Sequence, residues 1–329
     1  MLKILSAPLC ALLLITGAGV FQSASAATPV PPPPPPPGNQ IVDEKASGET
    51  AALFNYLRKT SGKGMLFGHQ HETTQGLTIT NQASLNQSDT KSAVGDYAAV
   101  YGWDSLSIIG SKPEGDVVDH IKAAYRRGGI ITISAHLDNP KTGGTAWDKT
   151  PGVENALPGG EKNAVYNAYL DELADWALAL KDDNGKPIPV LFRALHENTA
   201  GWFWWGSDQS TPSQYINLYR YTVEYLRDKR SVHNFLYVYS PADKFSIINE
   251  ASFLERYPGD AYVDVLAFDA YGAAENNADY MSSVVKYAAL VSRMAQARGK
   301  VSAMAEVGVM EQDIVAGKED PHWYTKLLN

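Results

Sequence analysis

The chain has 329 residues, a formal net charge of -8 and 44% hydrophobic residues. That size and apolar content suit one large unit, since α/β barrels commonly reach about 250 residues as a single domain. The acidic balance excludes a nucleic-acid partner, because neutralising phosphates takes a basic face that the sequence lacks. Its 18 tyrosines and 7 tryptophans favour an uncharged, hydroxyl-rich ligand, although buried aromatics serve equally well as core.

Residues 1–26 read as a secretory signal: Lys3 precedes an apolar stretch from about Ala7 to Val20, and Ala24-Ser25-Ala26 has the A-x-A form of a cleavage site. The stretch is shorter than the roughly 20 residues of a spanning helix. Gly17 and Gly19 interrupt it, so no membrane span is expected. The sole cysteine, Cys10, follows Pro8-Leu9 inside this segment, which leaves neither a lipid attachment site nor disulfide chemistry for the mature chain. Residues 27–40 form a linker whose unbroken run Pro31 to Pro37 favours a stiff polyproline II spacer, either a plain leader or a tether to the cell surface. The expected location is extracellular or periplasmic.

Residues 41–329 read as one catalytic barrel. Short apolar runs predict strands at Gly64 to His69, Ala98 to Trp103, Ile130 to His136, Val190 to Leu195, Phe235 to Tyr239, Val263 to Phe268 and Val301 to Ala305. Apolar residues at spacings of three and four predict helices at Asp116 to Arg127, Asn163 to Leu180, Pro212 to Lys229 and Asp279 to Ala297. This alternation signals parallel strands joined by crossover helices. Polar and aromatic residues recur at the strand ends, namely His69, Trp103-Asp104, His136, His196-Glu197, Tyr239-Ser240, Asp269, Tyr271 and Glu306. In a (β/α)8 TIM barrel those ends face one rim. A doubly wound open sheet is the alternative, but no glycine-rich nucleotide fingerprint follows the first strand.

The segment Arg193 to Gly206, RALHENTAGWFWWG, sets a carboxyl group at Glu197 beside Trp202, Phe203, Trp204 and Trp205. Glycoside hydrolysis needs an acid at the scissile oxygen, and aromatic faces hold a sugar by its apolar side. Glu306, ending a distant strand, supplies a second carboxyl.

LHENTAGWFWWG resembles the acid/base motif of glycoside hydrolase family 26. SAHLDNP at Ser134 to Pro140, FDAY at Phe268 to Tyr271 and AEVG at Ala305 to Gly308 are similar to its other rim segments, and the likeness spans Met65 to Gly308. The resemblance implies double-displacement hydrolysis of β-1,4-linked mannan, glucomannan or galactomannan, with Glu197 as general acid/base and Glu306 as nucleophile. It implies that His196 orients the nucleophile and that His136 lines a subsite on the non-reducing side. Trp202 and Tyr271 would contact the sugar at the cleavage point. Arg193 is expected to favour the Glu306 anion by its charge. Desolvation by Trp202 and Trp205, with repulsion from Glu306, is expected to raise Glu197. Trp204 and Trp205 read as packing residues, Trp103 as packing or ligand, and Asp104, Trp147 and Asp269 as contacts at outer subsites.

His69 and His71 sit two apart, but no third ligand stands at a zinc spacing, and no metal or cofactor is expected. A monomer is expected. Only about twenty residues follow Gly308, and Pro321 to Asn329 reads as the start of a helix. The barrel is therefore expected to be truncated before strand eight, without the Trp-Arg pair that the family carries there. The same framework hosts β-1,3:1,4-glucanases and β-1,3-xylanases, and a catalytically dead carbohydrate-binding protein is the reading outside enzymes.

Overall fold

The computed structural model describes residues 41–329 apart from 243–248, 275–277, 311, 314, 315, 319, 321 and 329. The expected signal and linker lie outside the described residues.

Seven parallel strands follow one another in chain order: β1 (Gly68–Gln70), β2 (Val100–Asp104), β3 (Ile130–Ala135), β4 (Val190–Ala194), β5 (Phe235–Tyr239), β6 (Val265–Gly272) and β7 (Val301–Val309). The helices are α1 (Gly48–Thr60), α2 (Asp89–Val94), α3 (Val118–Arg126), α4 (Val153–Ala156), α5 (Asn163–Ala179), α6 (Pro212–Glu224), α7 (Glu250–Leu254), α8 (Ala278–Ala297) and α9 (Trp323–Leu328). This is the curled, sequentially ordered parallel sheet of a (β/α)8 barrel, with no strand joining β7 to β1 among the described residues.

β5 is apolar along its length, as burial on both faces demands: all five of its residues are buried. Phe192 of β4 stacks on Phe235 of β5 with ring centroids 4.7 Å apart. Tyr219 of α6 donates its hydroxyl to the Val238 carbonyl at 2.9 Å, tying that helix to the sheet. Helix α6 starts where Thr211 and Gln214 form a capping box ahead of Pro212, a combination that satisfies first-turn N–H groups and pre-sets the backbone.

The structure departs from the sequence reading at element ends. β1 covers Gly68–Gln70 rather than Gly64 to His69, and just ahead of it the Phe67 carbonyl accepts from the Ala99 and Val100 N–H groups at 2.9 and 3.1 Å. The helix expected through Lys229 widens into π-helical turns at Tyr225–Lys229. α9 reaches across toward β1: Trp323 donates to the Ala273 carbonyl at 3.2 Å and Tyr324 meets Phe67 edge to face at 6.3 Å.

A bulge in β7 matters most for the site. Phe268 pairs with Met304, yet Asp269 pairs with Glu306, so Ala305 is the extra residue. Because strand side chains alternate, this one-residue slip puts Glu306 on the same face as Asp269.

Candidate active site

The C-terminal end of β4 carries the acidic motif. Leu195 and Glu197 both adopt left-handed backbone, with φ of 49° and 52°. Non-glycine residues there store about 1–3 kcal/mol of strain each, so the surroundings must hold them. They do. Glu197 N–H donates to the Ser240 carbonyl at 2.7 Å. The Tyr215 hydroxyl donates to the Leu195 carbonyl at 2.9 Å, and Trp205 Nε1 donates to the His196 carbonyl at 2.7 Å.

Trp205 is therefore a brace for the motif rather than a wall against Glu197, and its ring stacks on Phe203 with centroids 4.5 Å apart. Trp204, fully buried, donates to the Leu137 carbonyl at 2.9 Å. Both pack, as the sequence reading expects. Trp103 packs too: it is buried, with Nε1 donating to Thr74 Oγ1 at 3.1 Å.

Arg193 is buried at the centre of the rim. Its Nη1 donates to Asp269 Oδ2 at 2.7 Å, and its Nη2 donates to Glu306 Oε1. The Tyr271 hydroxyl donates to Glu306 Oε2 at 2.7 Å. Gly308, opposite Tyr271 in the ladder, makes room for it: a Cβ there would stand 3.2 Å from the phenol ring. Burial alone would raise the Glu306 carboxyl, but the Arg193 charge and the hydrogen bonds from Tyr271 and Arg193 outweigh it and hold the group below the usual glutamate range.

Glu197 behaves oppositely. Burial first, then repulsion from Glu306, pushes its carboxyl from 4.5 up to about 7. The contribution of Trp202 differs from the expectation: its Nε1 donates to Glu197 Oε2 at 2.6 Å, which favours the anion and opposes the rise. Beside Trp202 opens a cavity of about 350 Å³ that Lys149, Thr199, Ser207 and Asp208 also line.

The histidines form a file. His136 Nδ1 lies 2.6 Å from Asp104 Oδ2, and His136 Nε2 lies 3.1 Å from His196 Nε2. His196 stands 4.0 Å from Glu306 Oε1, so it neighbours the carboxylate without a hydrogen bond to it. Burial, with the Arg193 and His136 charges, holds His196 well below the ordinary imidazole value. Trp147, 51% exposed, stacks on His136 at 4.8 Å and 11°. Arg193, His136, His196, Glu197, Trp147, Trp202, Tyr271 and Glu306 thus meet at one rim. Asp104 and Asp269, expected at outer subsites, are instead buried partners of His136 and Arg193.

His69 is engaged by Glu72 Oε2 at 2.7 Å, and His71 turns into left-handed backbone at φ 56°, so strand alternation does not pair them. Among the described residues no group of three or more His, Cys, Asp or Glu is arranged to hold a metal ion, and no helix is long and apolar enough to cross a membrane. Neither the β7 bulge nor the left-handed turn at Glu197 carries a signal in the sequence. The Asp104–His136 pair was open to detection only as two polar residues ending adjacent strands.

A mannan endo-1,4-beta-mannosidase of Bifidobacterium adolescentis is 41% identical over 283 residues, which cover 82% of this chain and 28% of that protein. The chain thus spans little more than a quarter of that relative's length. A solved Cellulomonas fimi endo-beta-1,4-mannanase double mutant is 40% identical with a TM-score of 0.81, over 89% of this chain and 67% of that one. The catalytic domain of a Bacillus sp. JAMB-750 GH26 endo-beta-1,4-mannanase is 39% identical with a TM-score of 0.82, over 91% and 81% of the two chains. The model of Glycosyl hydrolase family 26 matches residues 42–329, and with a barrel and rim of this form the chain belongs to that family.

Proposed function

We propose that this chain is a retaining endo-β-1,4-mannanase acting on internal bonds of mannan, glucomannan or galactomannan. The observation that carries the reading is two carboxyls at one rim in opposed settings: Glu306 accepts from Arg193 and Tyr271, which favours its anion, while Glu197 is buried beside Trp202 and pushed up to about 7. Retaining glycosidases need that division of labour.

In the first step Glu306 attacks the anomeric carbon while Glu197 gives its proton to the departing glycosidic oxygen. The products are a glycosyl ester on Glu306 and a shortened leaving chain. Esterification neutralises Glu306, and the repulsion that raised Glu197 goes with it. Glu197 then takes a proton from water as the water oxygen attacks the same carbon, which regenerates both groups. Trp147 offers a half-exposed face for stacking a sugar, with His136 beneath it, and Trp202 and Tyr271 flank the cleavage point. The chemistry needs no metal or cofactor.

The choice of mannan rests on the relatives' names together with the rim motifs. Secretion rests on the sequence of residues 1–26, with residues 27–40 as a linker and residues 41–329 acting as a monomeric catalytic unit. The test is reducing-end release by this chain from mannan, lichenan and β-1,3-xylan in parallel. Release from mannan first, with the β-anomer as the initial product in NMR spectra, is expected. Preference for lichenan or xylan overturns the substrate, and sugar binding without any release overturns the enzyme.

A further inference from the structure

The proposed reaction leaves the buried carboxylate of Asp104 without a task. Asp104, at the end of β2, is 3% exposed. Four donors engage it. The Ser105 hydroxyl at 3.1 Å and the Leu106 N–H at 3.0 Å reach Oδ1, while the Ser134 hydroxyl at 2.5 Å and His136 Nδ1 at 2.6 Å reach Oδ2. An ionised carboxylate only accepts, so His136 Nδ1 carries a hydrogen and its ring is fixed.

That leaves His136 Nε2 facing His196 Nε2 at 3.1 Å. Two arrangements satisfy the pair. A neutral His136 accepts from His196, or a cationic His136 donates to it. Burial opposes the cation, but the hydrogen bond and charge of Asp104 and the charge of Glu306 outweigh burial, and His136 stands above its ordinary value. The groups facing this file are Asp104 on β2, with His71 beyond β1 near it, Arg193, His196 and Glu197 from β4 and its end, and Glu306 on β7. Arg193 is the one that works against a charge on His136. Charge on His136 in turn favours the Glu306 anion. The other face of the same imidazole supports the exposed Trp147 ring.

We propose that Asp104 is a positioning residue: by clamping His136 it holds a positive charge toward Glu306 and a flat base under Trp147. This rests on the reading of Glu306 as nucleophile. Asp104 touches neither the nucleophile nor the acid; it acts through His136 alone.

The test is Asp104→Asn in the full chain. Asparagine keeps the volume and can keep Oδ1 toward Leu106, while its amide N–H faces His136 and forces Nδ1 to accept. Two readouts separate positioning from folding. In 1H–15N spectra of the imidazoles, the His136 titration is expected to move to lower pH. On mannan oligosaccharides, kcat/KM is expected to fall about tenfold on the acid side of its profile and less at the optimum. In a His136→Ala background the same substitution is expected to add nothing. A loss equal at every pH, or one that adds to His136→Ala, overturns the proposal. So does a wild-type His136 that titrates below the ordinary imidazole value, which decides the matter even where the variant fails to fold. Wild-type protein that hydrolyses nothing refutes the enzyme reading, while the NMR titration still decides Asp104.

Discussion

Replacing Tyr271 with phenylalanine removes one hydrogen bond from the nucleophile and keeps the ring that fills the space beside Gly308. The lost bond runs from the phenol to Glu306 Oε2 at 2.7 Å, while Arg193 retains Oε1. A hydrogen bond to a charged group contributes about 1.5–3 kcal/mol. Tyr271 is 40% exposed and the Glu306 side chain 25%, so water recovers part of that. A net loss of about 1–1.5 kcal/mol remains, equivalent to roughly one pH unit in Glu306 ionisation. The direction follows from the balance at the carboxyl: burial raises it, while Arg193 and Tyr271 pull it below its ordinary value. Without Tyr271 it rises, and activity that needs the anion is lost at a higher pH on the acid side. The expected result is an acid limb of kcat/KM displaced upward by about one pH unit, with the melting temperature little changed. An acid limb that stays in place, or moves down, refutes the claim that this hydroxyl helps to ionise the nucleophile.

Glu197→Gln is expected to lower turnover of mannan by about 10²–10⁴, with less effect on aryl glycosides whose leaving group needs no proton; comparing the two substrates in steady-state assays checks this. Arg193→Met strips the guanidinium from Asp269 and Glu306 and is expected to destabilise the fold by about 3–5 kcal/mol, read as the shift in urea unfolding. Asp264, fully buried, accepts from the Val42 and Tyr237 N–H groups and is pushed by burial from 3.8 up to about 6. A raised acid binds its proton more tightly folded than unfolded, so it favours the fold below the unfolded value of 3.8 and loses that contribution as pH rises through about 6. Asp264→Asn abolishes this dependence: from pH 4 to pH 8 its stability relative to the native chain is expected to improve by up to about 3 kcal/mol, and parallel curves would reject the assignment.

The barrel was legible because β4, β5 and their helices obey simple periodicities: a continuous apolar run such as FLYVY must be covered on both sides, and Thr211-Pro212 announces α6. The gathering of Arg193, Glu197, Tyr271 and Glu306 was legible for a related reason, since each lies in or just past the C-terminal half of a parallel strand and those halves lead to one rim. What escaped is geometry that single residues do not encode. Trp205 next to Trp204 reads as more wall, and only the folded chain reveals that its indole holds the His196 carbonyl. Asp104 reads as one more polar strand end, because its partner His136 comes from the neighbouring strand 32 positions away. The bulge at Ala305 is invisible in VSAMAEVG, whose alternation fits a regular strand just as well.

The two carboxyls differ because the backbone delivers them differently to one cation. Arg193 sits on β4, four residues before Glu197, and its Nη1 and Nη2 reach β6 and β7. Glu306 arrives on a strand, and the bulge turns it toward that guanidinium. Glu197 leaves its own strand through the left-handed turn, which carries its carboxyl away from the Arg193 fork and under the indole of Trp202. Had β7 run without the bulge, Ala305 would have stood opposite Asp269, and Glu306 would have lost the register that pairs it there. The strained turn, at about 1–3 kcal/mol per residue, thus sits where one carboxyl is placed under an indole while the other takes the guanidinium.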